Sequence, residues 1–164
     1  MRTLSILSSI TIIFFVIFIR FAQAETPFDI SLCLAGPVTA LSSTNELTLL
    51  GVELKGVTIS NQENKVFDSL FYHFVGVSRI SNGQVDARGY SKITDVNGDL
   101  IFTESTTVGP LAQPSWKLKF LHGTGKWKGI TGGGDVVSIT RRSPLAEGTY
   151  RACYSIRGTF ELPK

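Results

Sequence analysis

The sequence predicts an all-β fold, a closed antiparallel barrel of about eight strands behind a cleavable N-terminal signal peptide. Three observations carry this. Beyond residue 24 the chain is a series of short alternating segments separated by turn residues, with no sustained i, i+3, i+4, i+7 stripe. The two cysteines, Cys33 and Cys153, fall in the first and the last of these segments. A glycine-rich stretch, His122–Asp135 (HGTGKWKGITGGGD), separates two further segments.

The front of the chain reads as a leader. Arg2 gives a positive start, Leu4 to Ile19 is almost free of charge, and Ala22-Gln23-Ala24 is an A-x-A cleavage pattern. Cleavage leaves a mature chain from Glu25, a single barrel domain over residues 25–164, enough for one closed core. The rival is an uncleaved anchor, since the apolar run approaches the ~20 residues of a membrane span. The expected location is export to a periplasm or the extracellular space, with no membrane span in the mature chain. Removing Arg2 and Arg20 leaves 14 basic residues (16 − 2) against 13 acidic ones. No basic cluster remains that would track a nucleic acid.

The strands follow in order. Phe28–Leu34 alternates apolar with small or polar residues, and Leu47–Ser60 is followed by polar residues 61–64. Val66–Ile80 runs into Asn82-Gly83, and Val85–Asp95 runs into Asn97-Gly98; each Asn-Gly supplies the positive φ of a tight hairpin. Ile101–Val108, Trp116–His122, Val136–Arg142 and Tyr150–Leu162 complete the set, with Pro110, Pro114 and Ser143-Pro144 between them, a pattern that favours an antiparallel barrel or sandwich.

In the first strand Cys33 falls on the face opposite Phe28, Ile30, Leu32 and Leu34, and in the last Cys153 falls opposite Ala152, Tyr154 and Ile156. Two outward cysteines on the first and last strands can bridge if closure makes those strands neighbours. An exported chain favours that bridge, and two unpaired thiols are the alternative.

The glycine stretch imitates a phosphate loop and fails on spacing. A P-loop needs G-x-x-x-x-G-K-[ST] before a helix, but Gly125-Lys126 is followed by Trp127 and position 120 is Phe. A dinucleotide fingerprint fails because Gly129 comes one residue late. The stretch reads instead as a tight connection whose structural glycines, Gly123, Gly125, Gly129 and Gly132, let Trp127 fold over the barrel end. Gly123 to Gly132 resembles the G-T-G-[KR]-[aromatic]-x-G-x-x-G signature of the allene oxide cyclase-like and dirigent-like barrels, and looks closest to small exported bacterial members. Gly89-Tyr90 and Thr94 to Asp99 are similar to a stretch of the same group. The resemblance implies a closed eight-stranded barrel with an apolar interior. Allene oxide cyclases isomerise an epoxide there with a carboxylate and bound water, and dirigent proteins steer the coupling of phenoxy radicals. The first strand here offers no inward carboxylate.

The residues themselves suggest a lumen. Val85, Ala87, Gly89, Ser91 and Ile93 form a face of mostly small side chains, which leaves room beside Trp116, Phe120 and Tyr154. Those three aromatics are the candidate ligand contacts, for a small apolar or aromatic molecule. Glu104 and His122 form an acid/base pair only if their strands bring them together; otherwise His122 caps a strand end and Glu104 lies at the rim. No cofactor is expected. No metal is expected either, because Asp95, Asn97, Asp99 and Glu104 miss the calcium-loop spacing and His73 and His122 are the only histidines. The leading expectation is a non-catalytic binder. The alternatives are a cyclase, isomerase or dirigent-like guide, and a filled scaffold for protein interaction; a homo-oligomer is compatible with each.

Overall fold

The computed structural model describes residues 25–44, 46–141 and 146–163. The leader, residues 1–24, and the Ser143-Pro144 turn lie outside them. Eight strands pair antiparallel in chain order: β1 (Thr26–Ser43), β2 (Leu47–Ser60), β3 (Phe71–Ser81), β4 (Gln84–Thr94), β5 (Leu100–Pro110), β6 (Ser115–Gly123), β7 (Thr131–Arg141) and β8 (Thr149–Glu161). Pairing of β8 with β1 closes the barrel. One 3-10 turn, Gly125–Trp127, is the helical element among the described residues.

Inward alternation fills the barrel. Phe28, Ile30, Leu32 and Leu34 of β1 meet Ala152, Tyr154, Ile156 and Phe160 of β8 in one buried cluster. On the outer side of the same seam Cys33 and Cys153 are register partners, with Cα atoms 4.0 Å apart, and form a disulfide. Both cysteines therefore sit where the alternation places them. The Asn82-Gly83 hairpin has both residues at positive φ (51° and 72°), as a two-residue turn matched to strand twist requires.

The structure departs from the expected elements at three points. Residues 66–70 continue no strand; β3 begins only at Phe71. Lys65, Phe67 and Ser69 adopt positive φ, which breaks the alternation and turns the chain inward. Thr58 secures this segment: its backbone oxygen accepts from the Ser69 N–H (2.9 Å), and its hydroxyl oxygen accepts from the Leu70 N–H (3.0 Å). Phe67 and Leu70, apolar enough to imitate a strand, instead become buried plugs.

Second, β7 starts inside the glycine run, at Thr131. The reason is close approach: a Cβ on Gly133 would lie 2.1 Å from the Leu118 carbonyl oxygen across the sheet. Third, a bulge between β5 and β6 pairs Phe102 with His122 and Thr103 with Phe120, leaving Leu121 without a partner position. The alternation slips there, so Phe120 points inward while Leu121 and His122 are both exposed.

The two ends differ. At one end lie the β2–β3 segment, the β4–β5 turn and the 3-10 turn, packed over the core. The Asn82-Gly83 hairpin and the β5–β6 connection stand at the other, which is open.

Candidate functional site

The closed end is built by the two stretches that the sequence singles out. Asp95, at the end of β4, is buried and acts as the hub. Its Oδ1 accepts the Asn97 and Asp99 N–H groups (2.8 and 3.0 Å), and its Oδ2 accepts the Trp127 indole N–H (3.2 Å) and the Lys126 ammonium (2.8 Å). The Lys126 hydrogen bond first, then the backbone and indole donors, holds the Asp95 carboxyl at about 2 despite the opposing cost of burial. Gly125, at φ 52°, packs so tightly on Asp99 that a Cβ would lie 1.8 Å from its Oδ1. Trp127 stacks on Phe67 at 5.0 Å and 19°, and Phe67 contacts Phe28, Phe120 and Phe160. An aromatic stopper thus seals this end. The glycine stretch and the Asp-x-Asn-Gly-Asp turn form one clasp, with a structural rather than a phosphate-binding part.

The open half contains a cavity of about 220 Å³. Val38, Val52, Phe74, Ala87, Trp116 and Tyr154 are among its walls. Part of the room expected along β4 is taken, because the Phe74 ring lies over Gly89. Ala87 and Val85 keep theirs. Tyr150 and Tyr154 share a hydrogen bond between hydroxyls (2.9 Å), and Trp116 meets Tyr154 edge to face at 4.6 Å. Arg88 also borders the cavity, but its guanidinium pairs with Glu104 on the outer face (3.3 Å).

Beneath the cavity lies a group of neutral hydroxyls. Ser91 Oγ donates to Tyr72 Oη (2.7 Å), and Thr103 and Ser105 lie beside the same oxygen. Burial first pushes the Tyr72 hydroxyl up, so it stays protonated at physiological pH. Thr103 Oγ1 and Trp116 Nε1 are buried and have no hydrogen-bond partner of sound geometry among the described residues.

The candidate residues therefore separate. Trp116 and Tyr154 line the cavity together. Phe120 does not: β6 runs from the open end inward, so Phe120 sits about 13 Å deeper, at about 3.3 Å per residue, in the aromatic stopper. Glu104 and His122 do not form a pair in the lumen. Glu104 lies on the outer face, held by Arg88 and the Tyr90 hydroxyl, because the inward positions of β5 are Ile101, Thr103 and Ser105. His122 is turned outward by the bulge and stacks on Phe102 at 6.2 Å. The hydroxyl group of Tyr72, Ser91, Thr103 and Ser105 has no place among the sequence candidates. Inward alternation from Ile101 reaches two of its members, Thr103 and Ser105.

The fold is a closed eight-stranded antiparallel barrel with a cavity in one half. Among solved structures the chain is similar to the pterocarpan synthase dirigent protein GePTS1, with a TM-score of 0.52 at 12% identity over 86% of this chain and 93% of that one. It is also similar to the pterocarpan synthase dirigent protein PsPTS1, with a TM-score of 0.50 at 10% identity over 87% of this chain and 99% of that one. No family model and no curated protein matches the sequence. At these identities the likeness is one of fold, and function rests on the site.

Proposed function

We propose that the protein is an exported barrel that holds one small apolar or aromatic molecule in its lumen and performs no chemistry on it. The observation that carries this is the cavity itself: about 220 Å³, open at one end, with aromatic and aliphatic walls. Export is supported by the leader pattern and by the disulfide, which an oxidising compartment maintains. The glycine signature supports a finer kinship with allene oxide cyclase-like barrels and with small exported bacterial members. Native mass spectrometry of residues 25–164 tests the function, combined with titration by ethylbenzene and acetophenone. A defined adduct or saturable one-to-one binding is expected. A clean mass with no saturable binding would overturn the reading.

A second reading is a dirigent-like guide, favoured by the likeness to the two pterocarpan synthase dirigent proteins. Steering a coupling needs shape rather than proton transfer, which suits a lumen whose titratable wall groups are tyrosines. Added to a one-electron oxidant and a phenol, such a guide changes the product's stereochemistry and not the rate of oxidation. An unchanged product distribution would remove this reading.

A further inference from the structure

The geometry points to a polarised lumen that selects an uncharged ring compound bearing one hydrogen-bonding oxygen, with that oxygen seated at the deep end against Ser105 and the Trp116 indole N–H. This rests on the proposed lumenal binding and adds the ligand's chemistry and orientation.

Size sets the first limit. An apolar cavity of about 150 Å³ accepts benzene. A cavity of about 220 Å³ therefore fits a single ring with a short substituent. Polarity sets the direction. Toward the mouth Val38, Leu50, Ile80 and Val85 supply most of the wall, with the hydroxyls of Ser78, Thr107 and Tyr150 set among them. Ser105 and Trp116 line both the main cavity and a void of about 20 Å³ beneath it, which Tyr72 also borders. Behind Ser105 stand the hydroxyls of Tyr72, Ser91 and Thr103, so neutral donors and acceptors are densest at the deep end.

One of these groups is incomplete. Trp116 Nε1 is buried without a partner among the described residues, and an unmet buried donor is costly. A ligand oxygen reaching the deep end meets that need; a hydrocarbon of the same shape does not. Charge is excluded on the same grounds. Among the described residues the lumen presents no ionised side chain, Arg88 being engaged outside by Glu104, so a carboxylate or ammonium would lose its hydration without a counter-charge.

Three probes of matched size separate these statements: acetophenone, ethylbenzene and benzoate, titrated into the mature chain and followed by ligand-observed NMR. Acetophenone is expected to bind about fivefold more tightly than ethylbenzene, the worth of one neutral hydrogen bond. Benzoate is expected not to saturate. In Trp116→Phe with Ser105→Ala the ratio of acetophenone to ethylbenzene falls to about one, while retained ethylbenzene binding reports an intact cavity. Equal binding of acetophenone and ethylbenzene by the native chain, an unchanged ratio in the double variant, or benzoate binding as tight as acetophenone would each overturn the polarised lumen and leave the lumenal reading standing. Failure of all three probes to bind would remove both.

Discussion

Asp95 shows how one side chain can join two remote stretches of sequence. It is buried, yet four groups make its ionised form the favoured one, with Lys126 foremost. A carboxyl lowered from 3.8 to about 2 stabilises the fold by roughly 2 kcal/mol at neutral pH. Because the folded value is the lower one, this contribution is complete above about pH 4 and is lost as pH falls toward 2. Asp95→Asn should therefore lower stability at pH 7 by about 2 kcal/mol and flatten its decline between pH 4 and 2, measured by urea denaturation across that range. Glu104→Gln and His122→Ala should leave ligand affinity within about twofold and cost at most ~1 kcal/mol of stability, since both side chains face outward. Calorimetric titration beside thermal melting checks both. Residue types alone leave the faces of both side chains open, for a physical reason. β5 begins with apolar residues on both faces and continues with polar residues on both, so a period of two fits either parity. A one-residue bulge at Leu121 then reverses the remainder of β6, and nothing in the local residue types announces it.

At the scale of elements, β2 spans the same residues in sequence and structure, and the cysteines fall on the outer faces because strand alternation leaves them no other side. The segment before β3 was not legible. Val66, Phe67 and Leu70 carry the apolar signal of a strand, while the positive φ values that bend them inward occur at residues that rarely adopt them. Phe67 is the centre of the stopper, in ring contact with four aromatic neighbours, Phe28 at 5.1 Å, Phe120 at 5.6 Å, and Trp127 and Phe160 at 5.0 Å. Phe67→Ala should cost about 3–5 kcal/mol, read from chemical denaturation, because the rigid barrel end cannot collapse onto the space. The disulfide spans a sequence separation of 120 residues. Replacing both cysteines by serine should lower stability by about 4–5 kcal/mol on the chain-entropy account, measured by urea denaturation with midpoint and slope fitted separately, because freeing the denatured chain also raises the slope. With β1 riveted to β8, the weakest seam lies elsewhere: β6 and β7 pair only over Lys117–Lys119 against Gly133–Asp135.

The whole molecule is a barrel with one end stoppered and the other hollow, and this division is what the sequence concealed most. A face of small residues on β4 was visible, but whether it stays empty depends on the Phe74 ring from β3, a neighbour that no local pattern names. Eight strands were legible from turn chemistry and alternation, which left barrel or sandwich, and bridge or unpaired thiols, open; closure, the bridge and the division into stopper and cavity rest on long-range pairing and packing. Ala87→Phe places a ring into the open half without entering the stopper. It should weaken binding of ethylbenzene and acetophenone at least tenfold while the thermal midpoint moves by only a few degrees, and ligand-observed NMR beside calorimetry separates the two effects. Under the proposed lumenal binding, the single mouth left by the described residues has a kinetic consequence. A molecule inside leaves by retracing its entry, and a cavity of about 220 Å³ admits no second ring beside the first. Exchange is then first out before next in: a competitor, however concentrated, waits for spontaneous departure and cannot push the resident through. Residence time is therefore set by the walls and the mouth alone, and the protein behaves as a flask rather than a conduit.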